Sequence, residues 1–210
     1  MGKVSLSGIV PKLTKPSGLP EGYTPLVYIR SSGTQAIDTE FSVGPDNYDK
    51  VRFEVDCEKI GAGSGTRWMT DGASNTDYFY VGVYNGLVYY ACGGTADMST
   101  GKAYPGGRST FVLDAEKGIV SATGVSDTKI TVNQFNSSVP LHLCGYSHAS
   151  GTHRYFAQDL YASKIVVSGV LVRDFVPCIS PSGEVGMYER IRKKFHGNIG
   201  TGVFIGSEVA

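Results

Sequence analysis

Alternating apolar and polar side chains, the pattern of half-buried β-strands, run along most of this chain. Residues 51–57 show it most clearly, with an apolar side chain at every second position and a charged one between. Residues 37–43 alternate in the same way, with a threonine at one of the inward positions. We therefore expect both segments to be strands that turn one face to a core and the other to solvent.

The dipeptide Asn85-Gly86 predicts a β-hairpin, because a two-residue type I′ turn needs positive φ at both central residues. Pairing Tyr84 with Leu87 across this turn fixes which side chains share a face. One face is apolar and is predicted to lie in the core: Phe79, Val81, Val83, Val88, Tyr90 and Cys92. The opposite face carries four tyrosines, with Gly82 opposite Tyr89: Tyr78, Tyr80, Tyr84 and Tyr89.

Two further hairpins and a buried strand are predicted along the rest of the chain. The hairpins join residues 109–114 to 119–123 and 161–167 to 170–176, and the buried strand covers residues 141–146. Residues 187–195 are expected to be a strand end and turn. With 28 glycines and 11% aromatic residues, this succession of short strands favours one all-β sandwich domain over residues 21–210.

Residues 1–20 differ from the rest of the chain. They contain three lysines, three prolines, no acidic residue before position 21 and few apolar side chains. Such a segment cannot bury itself. We expect an extended arm, which is either a loose terminus or an anchor that docks the domain onto a larger assembly.

The balance of charges and the lengths of the apolar segments disfavour two classes of protein, nucleic-acid-binding and membrane-spanning proteins. Lys plus Arg and Asp plus Glu are equal at 19 each, so no net field favours binding to nucleic acid. No apolar run is long enough for a membrane span, and residues 1–13 lack the apolar segment of a signal peptide. We therefore expect a protein made and assembled in a cytoplasm.

The four cysteines are predicted to be buried free thiols. Cys57, Cys92, Cys144 and Cys178 include no C-x-x-C pair, which disfavours zinc, and a reducing compartment disfavours disulfides. The four histidines show no metal-binding spacing. No metal or other cofactor is expected.

The segment Glu54-Val55-Asp56-Cys57-Glu58 matches the E-x-D-x-E strand of laminarinase-like glycoside hydrolases. Alternation places the three acids on one face. Residues four apart on a flat strand are nevertheless about 13 Å apart, whereas a retaining carboxyl pair needs about 5–5.5 Å. An ordinary acidic strand facing solvent is the simpler interpretation, so no catalytic residue is assigned.

The four tyrosines of the outer hairpin face are the better candidates for function. Exposed aromatic rings stack on the apolar faces of sugars and bury a large area. Trp68, Asp71 and Asn75 precede the hairpin in a predicted loop and would add contacts at the rim of such a site. Two other interpretations stay open: self-association through the same face of a neighbouring subunit, and coverage by another segment of the same chain.

The two ends of the domain carry specific sequences: LPEGYTPLVYI at residues 19–29, GTQAIDT at 33–39, LVRDFVPC at 171–178 and GEVGMY at 183–188. Together they resemble a family of lectin-like, concanavalin A/LamG-type β-sandwich proteins of bacteriophage virions and prophages. In that family LPxGYTxLEYIxSTGTQYIDT opens the domain, and LVRDFIPC with GEVGLYD closes it. The chain departs from the pattern at Arg30, Ala36 and Glu40.

The resemblance implies a jelly-roll β-sandwich of two antiparallel sheets in a non-enzymatic virion protein, such as a capsid decoration, head fibre or tail-fibre module. The residues add an arm suited to docking and an aromatic face suited to contact, so the expected partners are other virion proteins through the arm and a host-surface glycan at the tyrosine face. Two alternatives remain: a laminarinase-type hydrolase using Glu54, Asp56 and Glu58, and a carbohydrate-binding module of a bacterial surface protein.

Overall fold

The computed structural model describes residues 18–61, 65–74, 77–94, 98–137, 139–147 and 153–207. These residues form strands, turns and extended segments, and they contain no helix. It follows that no helix in the described part of the chain could span a membrane.

The described residues form nineteen strands, numbered here in chain order. They are β1 (Thr24–Pro25), β2 (Ile29–Ser32), β3 (Ile37–Asp38), β4 (Val51–Lys59), β5 (Gly65–Ser74), β6 (Asp77–Tyr84), β7 (Leu87–Cys92), β8 (Met98–Ala103), β9 (Arg108–Asp114), β10 (Ile119–Ala122), β11 (Val125–Lys129), β12 (His142–Leu143), β13 (Gly145–Ser147), β14 (His153–Tyr155), β15 (Ala157–Val167), β16 (Val170–Ile179), β17 (Val185–Glu189), β18 (Lys194–His196) and β19 (Ile205–Gly206).

Two antiparallel sheets make up the fold. The large sheet has the order β11-β10-β9-β4-β15-β16-β17-β18, with β1 paired to β16, β2 to β15 and β19 to β2. The small sheet has the order β3-β12-β5-β6-β7-β8, and β13 and β14 form a separate hairpin. The two sheets pack face to face, which confirms the predicted all-β sandwich.

The core lies between the two sheets, where the inward positions of their strands meet. Phe53 of β4 packs against Phe79 of β6 with ring centroids 5.7 Å apart, and Phe79 also contacts Phe135 at 5.6 Å. All three side chains are buried. Burying an aromatic side chain of this size stabilises a fold by about 1.5–3 kcal/mol relative to leaving it in water. The alternation of residues 51–57 is thereby confirmed as one core face and one solvent face.

The predicted hairpins are confirmed. Asn85 and Gly86 have φ of 48° and 75°, as a type I′ turn requires, and Tyr84 pairs with Leu87. Ser168 and Gly169 adopt the same conformation between β15 and β16. The third hairpin joins β9 to β10.

Two predicted strands are shorter than the alternation suggests. Only Ile37 and Asp38 of residues 37–43 form a ladder, although Thr39 and Val43 are still buried. Glu40 has φ of 51°, a left-handed conformation that interrupts strand pairing. Cys144, with φ of 63°, separates β12 from β13 within the predicted strand 141–146 in the same way.

A second apolar cluster lies on the outer face of the large sheet. Val176 and Tyr188 belong to it, whereas their neighbours Phe175 and Met187 point into the main core. Because successive side chains of a strand point to opposite faces, this cluster lies on the side away from the small sheet. We call it the outer cluster, and its members are Leu19, Tyr23, Val176, Cys178, Tyr188 and Phe195.

The outer cluster joins the beginning of the domain to its end. The ring of Tyr23 packs edge to face on Tyr188 at 5.0 Å and lies 6.1 Å from Phe195. Thr24 and Pro25 of β1 pair with β16. The opening and closing sequences, which are more than 130 positions apart in the printed sequence, are therefore neighbours in one sheet.

The predicted arm, residues 1–20, lies outside the described residues up to position 17. Leu19 packs on the outer cluster. Gly18 lies beside Arg190, because a Cβ at Gly18 would be 3.1 Å from the Cδ of that arginine. Arg190 in turn bonds Asp174. The chain therefore enters the sandwich on the outer face of the large sheet.

Candidate functional site

The tyrosine surface is the outer face of β6 and β7, on the side of the small sheet away from the core. It is defined by Tyr78, Tyr80, Tyr84 and Tyr89. The six side chains predicted for the opposite face of this hairpin are all buried in the core. The hairpin therefore has the two faces that its turn and register predicted.

Tyr80 is a correction to the predicted site, because only 2% of its surface is exposed. It lies in the middle of the sheet, paired with Thr70 of β5 and Ala91 of β7. Ala91 and His142, which share this row of the outer face, are buried as well. The row is thus covered by other parts of the same chain, and Tyr80 cannot contact a ligand. The alternation of the strand predicted the face on which Tyr80 lies, but it did not predict which part of the chain covers that face.

Tyr84 and Tyr89 form the accessible part of the tyrosine surface. Tyr84 is 46% exposed, and its ring packs against that of Tyr89 with centroids 5.6 Å apart and an interplanar angle of 83°. Gly82 is the cross-strand neighbour of Tyr89 on β6, and Ser99 is its neighbour on β8. Both cross-strand neighbours of Tyr89 are therefore small, and Gly82 is buried.

Tyr78 lies at the other end of β6 and is half-buried. Its ring meets that of Tyr80 at a centroid distance of 6.4 Å and an angle of 79°. Edge-to-face pairs of this kind stabilise a structure by about 0.5–1.5 kcal/mol beyond the area they bury. Because its partner ring is buried, Tyr78 belongs to the covered end of the surface.

Trp68 and Asp71 lie in strand β5, so the prediction of a loop at these positions was wrong. Trp68 occupies a bulge between Arg67, which pairs with Gly82, and Met69, which pairs with Val81. Bulged strands lose strict alternation, which explains why the sequence resembled a loop. Only the backbone is described for these two residues, and Asn75 lies outside the described residues.

Glu54 and Glu58 of β4 do not converge into a catalytic carboxyl pair. β4 pairs with β9 in unbroken register from Arg52 to Glu58, so no bulge brings Glu54 and Glu58 together. Each acid also has its own partner. Arg52 forms an ion pair with Glu54, Arg108 holds Asp56 through two bonds of 2.9 and 2.6 Å, and the Tyr161 hydroxyl lies 3.4 Å from Glu58.

A shallow depression lies beside the first two acids of this strand. Glu54 and Asp56 line one side of it, and Ala162, Ser163 and Lys164 line the other. Its volume is about 160 Å³, below the range of about 300–1,000 Å³ that ligand sites usually occupy. The depression is therefore too small to enclose an oligosaccharide.

A ladder of arginine and tyrosine side chains on the large sheet was not visible in the sequence. The guanidinium of Arg108 lies 4.0 Å above the Tyr161 ring, and Tyr161 contacts Tyr28 at 5.3 Å. Arg30 lies 5.3 Å from the Tyr28 ring and makes two bonds of 2.6 Å to Asp159. These rings already have partners, so the ladder is best explained as a stabilising network. No local motif could reveal it, because its members come together only through strand register.

The closing sequence contributes structure as well. Arg173 donates to the carbonyl oxygens of Thr39 and Glu40, at 3.2 and 2.8 Å, and Arg190 bonds Asp174 at 2.9 Å. Desolvation by burial lowers the pKa of Arg173. The charged residues of LVRDFVPC therefore hold different segments of this chain together.

All four cysteines are buried and unpaired with one another, as predicted. Burial raises the pKa of the Cys92, Cys144 and Cys178 thiols to about 12, and that of Cys57 also lies well above its ordinary value. Within the described ranges, no group of three or more His, Cys, Asp or Glu side chains is placed to hold a metal ion.

His196 is a buried histidine at the junction of the two terminal sequences. Its Nδ1 lies 2.8 Å from the carbonyl oxygen of Asp38, and its ring meets Phe175 edge to face at 5.3 Å. Nε2 is buried without a hydrogen-bond partner among the described residues. Desolvation by burial therefore lowers the pKa of His196, although the hydrogen bond to the Asp38 carbonyl and the charges of Glu40 and Glu189 act in the opposite sense.

We expect the free energy of unfolding to decrease as the pH falls below about 6.5, the ordinary histidine pKa. The folded state binds the proton on His196 less readily than the unfolded state does, so its contribution is present above that pH and lost as the pH falls through the lowered pKa. His196→Asn keeps a donor near Asp38 but does not titrate. Urea unfolding at pH 7.5, 6.5 and 5.5 should give a smaller pH slope for the variant, and equal slopes would contradict the assignment.

Comparison with known proteins adds a structural likeness. No protein-family model matches the chain, and no curated protein matches it. Eight chains of solved structures match. One of them is the Ruminococcus gnavus IT-sialidase CBM40 bound to alpha2,3 sialyllactose, with a TM-score of 0.47 and 11% sequence identity over 68% of this chain and 90% of that chain.

Proposed function

We propose that this chain is a non-enzymatic contact module of a bacteriophage virion, attached by its N-terminal arm and making contact with a glycan through the tyrosine surface. One observation carries the proposal. The point where the chain enters the sandwich and the accessible tyrosines lie on opposite outer faces of the fold.

The opposite placement follows from the register of the two sheets. Leu19 packs on the outer face of the large sheet, and Tyr84 is exposed on the outer face of the small sheet. Packed sheets lie about 10 Å apart, so the whole core separates these positions. A module held at the first position leaves the second free to meet a partner.

The absence of catalysis is part of the proposal. Glu54 and Glu58 lie on a regular strand, where their Cα atoms are about 13 Å apart, and Asp56 is held in two bonds by Arg108. A retaining glycosidase needs its two carboxyls within about 5.5 Å. Hydrolysis of a β-glucan by the intact protein, lost in Glu54→Gln, would contradict this part of the proposal.

The virion assignment rests on the resemblance of the terminal sequences alone. Tyr23 of the opening sequence and Tyr188 of the closing sequence are in contact, so the two segments form one structural unit. A carbohydrate-binding module of a bacterial surface protein would use the same tyrosine surface. The location of the chain distinguishes the two alternatives.

We expect deletion of residues 1–17 to leave the sandwich folded and to abolish its incorporation into particles. The described residues Gly18 and Leu19 remain, so the outer cluster keeps its members. Incorporation is measured as copies of the protein per purified particle. The control replaces residues 1–17 with a Gly/Ser segment of equal length, which should fail as the deletion does.

Two results would overturn parts of this proposal. Normal occupancy of the truncated protein would show that the arm is not the anchor. Absence of the full-length protein from purified particles would remove the virion assignment and favour the bacterial-surface alternative.

A further inference from the structure

We propose that the turn joining β17 to β18 is a second attachment contact of this chain, and that it docks on an acidic protein surface of the assembly that holds the arm. We call Arg190, Ile191, Arg192, Lys193 and Lys194 the basic turn. The inference rests on the proposed attachment function and names the chemistry of the partner. It depends on the charge, the exposure and the position of the basic turn.

The basic turn concentrates positive charge in a chain that has no net charge. Four of its five residues are cationic, whereas the whole chain has 19 basic and 19 acidic residues. A further cation, Arg173, lies close to it. Desolvation by burial and the charge of Arg192 both lower the pKa of Arg173, so cations of one sign are crowded together here.

The carboxylates beside the basic turn balance only part of this charge. Glu40 is shared between Arg192, at 3.2 Å, and Lys194. Asp174 is bound by Arg190 at 2.9 Å. Two carboxylates thus face three cations of the turn, and an acceptor on a partner would complete the set.

Lys193 is the most available cation of the basic turn. It is exposed, and it forms no ion pair with any residue in the described part of the chain. Its backbone has φ of 56°, a left-handed conformation that few residues other than glycine adopt. A lysine therefore stands where glycine would fit with less strain, and strained positions of this kind are concentrated at functional sites.

The backbone of the basic turn is fixed before any contact is made. Glu189 pairs with Lys194 at the end of the hairpin, and the buried Glu189 carboxylate accepts the backbone N–H groups of Ile191 and Arg192. The Arg192 and Lys194 side chains are nevertheless 45% and 50% exposed. Because the backbone is already ordered, binding costs less conformational entropy.

The basic turn lies where the arm leaves the sandwich. A Cβ at Gly18 would be 3.1 Å from the Cδ of Arg190, so the arm begins beside the turn. Residues 1–17 contain three lysines and no acid. The arm and the turn together hold seven of the 19 cationic residues of the chain. One acidic surface would therefore attract both segments.

A protein surface fits the basic turn better than a polyanion does. Ile191 lies between Arg190 and Arg192 in the sequence and is 47% exposed, so a contact would bury apolar area together with the ion pairs. Glu40 lies among the cations, 3.2 Å from Arg192, and would repel a continuous row of phosphates or sulfates. Separate Asp and Glu side chains can meet the cations one at a time.

The test measures binding of the purified protein to particles of a phage that lacks the gene for this chain, as copies per particle at increasing protein concentration. We expect Lys193→Glu to weaken binding about tenfold and Lys193→Gly about threefold, because a complementary charge is reversed or removed. Glycine adopts positive φ readily, so Lys193→Gly should not lower the urea midpoint. Lys129→Glu makes the same charge change on β11, at the opposite edge of the large sheet, and should bind normally.

Cross-linking identifies the class of partner. A carbodiimide joins an ammonium to a carboxylate that is in direct contact with it. Mass spectrometry of the treated particles should therefore recover Lys193 in an amide with an Asp or Glu of a particle protein.

The outcomes separate failure of this inference from failure of the proposed function. Binding that is lost on deletion of residues 1–17 but unchanged in Lys193→Glu would overturn the role of the basic turn and leave the anchoring arm standing. Failure of the unmodified protein to bind particles would overturn both. Retention on heparin or double-stranded DNA that Lys193→Glu abolishes, without a carboxylate cross-link, would show that the turn binds a polyanion and would overturn the protein partner.

Discussion

Phe175→Ala is expected to lower the free energy of unfolding by about 3–5 kcal/mol, the usual cost of removing a buried phenylalanine. Phe175 is fully buried, and its ring contacts His196 in the neighbouring part of the large sheet. Alanine would leave a cavity between the sheets where the closing sequence crosses the core. Urea unfolding monitored by circular dichroism measures the loss.

Val170→Ala is the matched control for Phe175→Ala. It shortens an apolar side chain on the same strand, but Val170 is 63% exposed. A change within about 0.5 kcal/mol is expected there. Comparable losses in both variants would show that strand propensity, rather than core packing, determines the effect.

Glu189→Ala is expected to lower the free energy of unfolding by about 3 kcal/mol, because it removes the acceptor for three backbone N–H groups. Glu189 is fully buried. Its carboxylate accepts hydrogen bonds from the backbone nitrogens of Asp174 at 2.9 Å, Ile191 at 2.8 Å and Arg192 at 2.7 Å. These bonds close the turn after β17 and attach it to β16.

Two further variants isolate the cause of the Glu189 effect. Glu189→Gln preserves the volume but places an amide NH₂ group among donors, so it should lose at least half as much stability as Glu189→Ala. Glu184→Ala removes an exposed acid of the same closing sequence and should cost less than about 0.5 kcal/mol. A neutral result for Glu189→Gln would mean that packing, not hydrogen bonding, holds this turn.

Turn chemistry and alternation predicted most of the fold from local sequence. Asn85-Gly86 identified a hairpin because few residue pairs adopt positive φ twice in succession. Breaks at Glu40 and Cys144 could not be predicted in the same way. These residues also have positive φ, but neither residue type signals it.

The candidate site was predicted in part. The Asn85-Gly86 register correctly placed Tyr84 and Tyr89 on an outer face. The register also placed Tyr80 on that face, but Tyr80 is buried. Strand register gives the face on which a side chain lies and does not give the segment that covers that face. The bulge at Trp68 interrupts the alternation of β5, and the sequence therefore predicted a loop there.

The residues that carry the family resemblance stabilise the fold. Tyr23 and Tyr188 pack together, and Arg173 binds backbone carbonyls at the start of the domain. A sequence pattern of this kind therefore identifies the sandwich and says little about the ligand. Tyr84 and Tyr89, which we propose as the ligand-facing residues, lie between these terminal sequences.

The four buried thiols can be used to measure local unfolding at four places in this protein. Cys57 belongs to β4, Cys92 to β7, Cys144 to the break after β12 and Cys178 to β16, so they sample both sheets and the outer cluster. Thiolate is the form that alkylating reagents attack, and burial suppresses it at each site. The rate at which each cysteine is alkylated therefore measures how often the segment around that cysteine opens, and no label has to be introduced.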